Sequence, residues 1–266
     1  MPPGRVRGAR SVVSMGHGYT EWAARLDGAT LWTWSGPRDP ARLVLPDGCM
    51  DLLWLGGRLM VAGPDTRAFG PGPADGGCAG IRFAPGTAPA LLGVPAHELR
   101  DRRVPLDSLW SGGEVRRLTE RIAEADDPTA ALEDIALHRA VGTEPPDPLM
   151  AAVAAQLRQG RSVAATAQAV GLGARQLHRR SLAAFGYGPK TLARVLSLQR
   201  ALALVSAGTA YAEAAYAVGC TDQAHLAREM RELAGTTLGG YLARTGYVGS
   251  AANSDTALPS GSRTTA

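Results

Sequence analysis

The sequence predicts an α+β chain with strands in its first half and helices in its second. Three observations carry this. Between about residues 30 and 84, short apolar runs alternate with Gly, Pro and Asp, the pattern of strands bounded by turns. After about residue 86 the apolar spacing becomes helical. From 149 to 244 it stays helical almost without interruption, with breaks that leave about seven helices.

Thr30–Trp34, Leu43–Leu45, Met50–Leu55, Arg58–Ala62 and Ala79–Phe83 are the expected strands. Gly56-Gly57 sits between two of them as a hairpin turn. Strands of this length suggest a small sandwich or barrel. Val115, Leu118 and Ile122 give Glu114–Glu124 one apolar helical face. Asp127-Pro128 begins another helix, because Asp caps well and Pro is tolerated in the first turn. Glu144-Pro145-Pro146-Asp147-Pro148 cannot continue a helix and marks the domain boundary. The expected organisation is a flexible tail 1–18, an N-terminal domain 19–142, a linker 143–148, a helical domain 149–248 and a disordered tail 249–266.

Charge divides along the same line. Residues 1–148 hold 16 Arg and Lys against 19 Asp and Glu, whereas 149–248 hold 11 against 4. A basic segment beside a slightly acidic one suggests a module for a polyanion joined to something else. Three cysteines without CxxC spacing do not make a disulfide framework. The sequence shows no apolar run of membrane length and no secretory signal, so a cytoplasmic location is expected.

The helical half contains an imperfect repeat. Ala167-Gln168-Ala169-Val170-Gly171 returns 48 residues later as Ala215-Tyr216-Ala217-Val218-Gly219, and Leu177-His178-Arg179 returns 49 residues later as Leu226-Ala227-Arg228. Each copy reads as a helix, a turn opening on Gly, and a second helix. A steep helix crossing through a short turn needs a left-handed backbone position, which Gly supplies. Ala165, Ala167 and Ala169, with Ala215 and Ala217, are small enough for close approach, and Leu177 and Leu226 are the inward anchors. Arg175, His178 and Arg179 then lie outward on the first candidate recognition helix, and Asp222, Gln223, His225 and Arg228 populate the second. In the major groove of DNA, Arg pairs with guanine and Gln with adenine. A long helix from about Lys190 to Ser206 joins the units, so one chain could read two consecutive grooves.

Residues 149–244 resemble the DNA-binding domain of AraC-type (AraC/XylS family) transcriptional regulators. The resemblance rests on Arg175-Gln176-Leu177-His178-Arg179, Gly186-Tyr187-Gly188-Pro189, Leu198-Gln199-Arg200-Ala201-Leu202 and the run from Gly219 through Asp222, Gln223 and His225 to Arg228. It implies that Arg175, His178, Arg179, Gln223, Ala224 and Arg228 face DNA and that Thr221 or Asp222 caps the second recognition helix. Four positions depart from the family pattern: Gly173 for a capping Ser, Ser181 for a core Phe, Cys220 for an aromatic and Leu238 for Pro. Residues 19–142 resemble a region attached to such domains in actinobacterial-type members. That resemblance is carried by Leu45-Pro46-Asp47-Gly48-Cys49-Met50-Asp51-Leu52, Gly63-Pro64-Asp65, Arg82-Phe83-Ala84-Pro85-Gly86 and Leu99-Arg100-Asp101. It implies a β-rich, cupin-like domain with flanking helices that senses a small molecule or dimerises.

The expected partners are promoter DNA, RNA polymerase, a small-molecule effector and a second copy of the chain. No cofactor, metal, membrane or catalytic residue is expected. Asp47 and Asp51 read either as an acid–base pair or as a turn former and a partner of Arg82. Cys49 and Cys78 read as a thiol or metal sensor or as small core side chains, and Trp32, Trp34, Trp54 and Trp110 as pocket lining or core. His17, His97 and His138 have no zinc-hydrolase spacing, and the glycines at 70, 72, 76 and 77 form no phosphate loop. The competing functions are an enzyme fused to a regulatory domain, such as a thiol-based alkyl acceptor, and an adaptor that no longer touches DNA. Only two cysteines precede residue 149, too few for a four-cysteine centre.

Overall fold

The computed structural model describes residues 12–14, 18–36, 43–70 and 77–244. The tail expected at 249–266, nearly all of that at 1–18, residues 245–248 of the helical domain, His17, Gly72 and Gly76 lie outside the described residues.

Among the described residues, seven strands form one antiparallel sheet: β1 (Val12–Ser14), β2 (Tyr19–Ala23), β3 (Ala29–Trp34), β4 (Met50–Leu55), β5 (Arg58–Ala62), β6 (Cys78–Phe83) and β7 (Arg103–Pro105). Their spatial order is β1-β2-β3-β6-β4-β5-β7. The register puts Trp22, Leu31, Ile81, Leu52, Val61 and Val104 in one row across six strands. Because successive residues point to opposite faces, the same strands turn Trp32, Arg82 and Asp51 to the other side.

The apolar row is covered by helices α1 (Ala88–Leu92), α2 (Gly112–Ala123) and α3 (Pro128–Val141). Helices thus supply the second layer, not a second sheet, and the sandwich or barrel expected from strand lengths is replaced by an α/β pair of layers. Asp127 Oδ1 accepts from the Thr129 and Ala130 amides, and Pro128 follows it, so α3 starts where its capping residues place it. Gly56 and Gly57 both have positive φ in the β4–β5 hairpin, the geometry that matches strand twist. Leu43–Leu45 is not a strand. Val44 makes an isolated bridge to Phe69, while Leu45 is buried among C-terminal helices.

Seven helices follow among the described residues: α4 (Pro148–Arg158), α5 (Val163–Ala169), α6 (Ala174–Phe185), α7 (Pro189–Ser206), α8 (Tyr211–Ala217), α9 (Gln223–Ala234) and α10 (Leu238–Arg244). Asp147 accepts from the Leu149 amide at 2.9 Å and Pro148 is the first residue of α4, so the proline-rich break also starts the next helix. Helix α7 divides its faces between two cores. Leu192 and Leu196 join Met150, Val153, Leu157, Leu177 and Phe185, whereas Val195, Leu198, Leu202 and Val205 join Tyr211, Leu226, Met230, Leu233 and Leu242.

Candidate nucleic-acid interface

Helices α5 and α6 form the first helix-turn-helix unit, and α8 and α9 the second. Gly171 has φ +67° and Gly219 +86°, so both turns open on the left-handed residue that the crossing requires. Leu177 and Leu226 are almost wholly buried behind the recognition helices, at 1% and 2% exposure. The close-packed small residues are Ala214 and Ala215. Ala169 and Ala217, expected at the helix contact, are exposed instead, each being the last residue of a short helix.

Arg175, His178 and Arg179 are exposed on α6, and Ala224 and Arg228 on α9, while Gln223, the first residue of α9, is half-buried. Arg179 and Arg228 are each the sixth residue of their helix. The structure therefore brings the anticipated residues into two equivalent groups, one at each recognition-helix N-terminal half. The helix starts differ. Asp222 is the N-cap of α9, its Oδ1 accepting from the His225 amide at 2.7 Å, while Thr221 lies outside the cap with its amide 3.4 Å from His225 Nδ1. Gly173 gives α6 no side-chain acceptor, and Gln176 Oε1 accepts from the Gly173 amide at 3.4 Å.

Arg194 of α7 ties down the second half of α9. Its Nε donates to Glu229 Oε2 at 2.7 Å and a second nitrogen pairs with Glu232. Glu229 is the less exposed of the two carboxylates, and Glu232, one turn after Arg228, is largely exposed. Arg194, Lys190, Ser197, Cys220 and His225 line an open groove of about 460 Å³ beside α9. Burial pushes the Cys220 thiol pKa up, assisted by Glu229 and Asp222, and the side chain packs against the second unit's core.

The N-terminal polar residues gather elsewhere. Arg82 Nε lies 3.3 Å from both Asp47 and Asp51, and Trp32 Nε1 donates to Asp51 at 2.7 Å. Asp47 Oδ1 accepts from the Cys49 amide across a turn in which Gly48 has φ +83°. Burial raises the Asp51 carboxyl above its ordinary pKa, and the Arg82 guanidinium opposes this. Burial, then Asp47, pushes the Cys49 thiol well up. A reactive thiol needs the opposite shift. Trp54 and Trp110 pack into the sheet core, so the four tryptophans do not share one pocket. Among the described residues, no group of three or more His, Cys, Asp or Glu side chains is placed to hold a metal. No helix among them is long and apolar enough to cross a membrane.

Arg200, the centre of the Leu198–Leu202 segment quoted for the resemblance, had no role assigned from the sequence. Its Nη2 donates to the Ala217 carbonyl at the end of α8 (2.9 Å), and its Nη1 lies against Gly160, where a Cβ would come within 2.5 Å. One side chain of α7 thus touches both halves of the helical part.

Two paired helix-turn-helix units, each presenting an exposed Arg on its second helix, are the fold of a DNA-binding transcription regulator. Residues 150–244 match the family described as "Helix-turn-helix domain". Residues 29–105 match "Domain of unknown function (DUF6597)". The chain is similar to crystal structures of ToxT from Vibrio cholerae. One has 9% identity and a TM-score of 0.44, over 83% of this chain and 98% of that one. Another has 9% identity and a TM-score of 0.40, over 80% and 97%. No curated protein matches the chain.

Proposed function

We propose that α6 and α9 read two consecutive major grooves of one promoter site, as the two halves of a sequence-specific regulator. The supporting observation is the equivalent, exposed placement of Arg179 and Arg228 on the two recognition helices. Arg175, His178, Gln223 and Ala224 complete the contacting set. Arg and Gln there contact base edges, and the remaining cations contact phosphate and supply a salt-sensitive share of the affinity. The functional division is 19–142 for sensing or dimerisation, 143–148 as linker and 149–248 for DNA. The sensing part answers a small molecule or pairs with a second copy, and the bound protein recruits or blocks RNA polymerase.

The test selects duplexes from a randomised pool with the full chain and titrates salt. Enrichment of an asymmetric site spanning two grooves is expected. Arg179→Glu and Arg228→Glu should each abolish specific binding at unchanged thermal midpoint, since both side chains are exposed. Normal binding by both folded variants, or no enrichment by the wild type, sinks this reading and leaves an adaptor role.

A further inference from the structure

The quoted segments of the N-terminal part that do not serve the sheet core converge on the helical part. Gly48 faces Leu192 of α7, where a Cβ would stand 3.0 Å from Cδ1. Gly86 faces the Phe185 ring at the end of α6, where a Cβ would stand 2.9 Å from Cε1. Gly186, which ends α6 in the left-handed region, lies against Pro64 and the Ala96 carbonyl, with room for no side chain. Arg100 Nη1 donates to the Gly186 carbonyl at 3.4 Å, and Gln199 Nε2 of α7 donates to the Pro46 carbonyl at 2.6 Å. Tyr187 in this turn is 2% exposed.

A second grip lies on the other unit. The Val44–Phe69 bridge pairs two loops of the N-terminal part. From them, Leu45 enters the second unit's core at 7% exposure, and the Ala68 amide donates to the Leu233 carbonyl at 2.6 Å. Leu233 is in the last turn of α9, where carbonyls lack a partner inside the helix. Both recognition helices are thus held at their C-terminal ends by loops of one N-terminal domain, and Arg175, Arg179, Ala224 and Arg228 in their N-terminal halves stay exposed.

We infer that the N-terminal domain is an intramolecular two-point clamp. The surface of segments 45–48, 64–68, 85–86 and 96–100 has the chain's own Gly186–Pro189 turn and α9 C-terminus as its partner, and its docking presets the spacing of the two recognition helices. The spacing consequence rests on the reading that both helices enter DNA. The clamp also gives a signal in the sheet a direct route to α7, because Asp47, paired with Arg82, lies between Pro46 and Gly48.

The test uses the full chain and two variants, Arg100→Ala at the first grip and Leu45→Ser at the second, with folding checked by thermal midpoint. Amide exchange should speed up at 185–189 in the first variant and at 231–236 in the second. On the duplex selected by the wild type, inserting one base pair between the half-sites should cost the wild type about tenfold in affinity, comparable to one mismatched pair. The folded variants should lose less than half of that on a logarithmic scale. Unchanged exchange, or an unchanged spacing profile, overturns the clamp. If the wild type selects no duplex, the groove reading fails, and the exchange data alone decide the clamp. Arg100→Ala removes one long hydrogen bond, so it keeps the test open if Leu45→Ser does not fold.

Discussion

Ser181 is wholly buried in α6, and its hydroxyl makes no hydrogen bond among the described residues. A buried polar group without a partner costs about 1–3 kcal/mol. Ser181→Ala removes that cost with little loss of volume and should raise stability by about 1 kcal/mol, measured by urea denaturation. An equal or lower midpoint would mean that the hydroxyl has a partner. The caps give the converse case. Asp222→Ala should cost about 1 kcal/mol, because Oδ1 is the acceptor for the His225 amide. Gly173→Ser should gain only a few tenths of a kcal/mol, since glycine is itself a tolerated cap. The departures from family pattern are thus small stability effects that leave the exposed Arg175 and Arg179 in place.

At the scale of elements, α7 is the joint of the helical half. Its apolar residues alternate between two cores, and Arg200 fastens the α8 C-terminus to the Gly160 turn. Arg200→Met keeps the aliphatic stem and loses the hydrogen bond to the Ala217 carbonyl. Affinity for the selected two-groove duplex should fall several-fold while the thermal midpoint moves little, because the bond is exposed. Arg200→Lys should restore part of the affinity. Equal binding by Met and wild type would leave Arg200 a packing residue only. The strand elements follow a different rule. Met50–Leu55 and Arg58–Ala62 were legible because their short runs and the Gly56-Gly57 turn between them are local. Tyr19–Ala23 and Arg103–Pro105 were not. Each takes its partner from the tertiary register, Tyr19–Ala23 with β3 and Arg103–Pro105 with β5.

For the whole molecule, the sheet and the helices do not behave as independent halves. Leu45 completes the second unit's core from the N-terminal side, and Ala68 caps α9. A fragment of residues 149–248 should therefore unfold at lower urea than the full chain. The loss expected from exposing a cavity of Leu size is about 2–5 kcal/mol. Coincident denaturation midpoints for the fragment and the full chain would show that the helical half is self-sufficient and would weaken the clamp with it.

The sequence by itself determined the helices, their caps, the two glycine-opened turns and the exposed basic residues between Arg175 and Arg228. All of these depend on interactions within a few residues: N-cap hydrogen bonds, left-handed glycines and a 3.6-residue period. It also determined that strands precede helices. Only the tertiary structure decided that helices, not a second sheet, cover the apolar face. It alone decided that Asp47 joins the Asp51–Arg82 pair that the sequence offered as one reading, and that Leu43–Leu45 serves the helices. Those outcomes depend on which surfaces find each other across more than a hundred residues, and the periodicity of a segment carries no record of its distant partner.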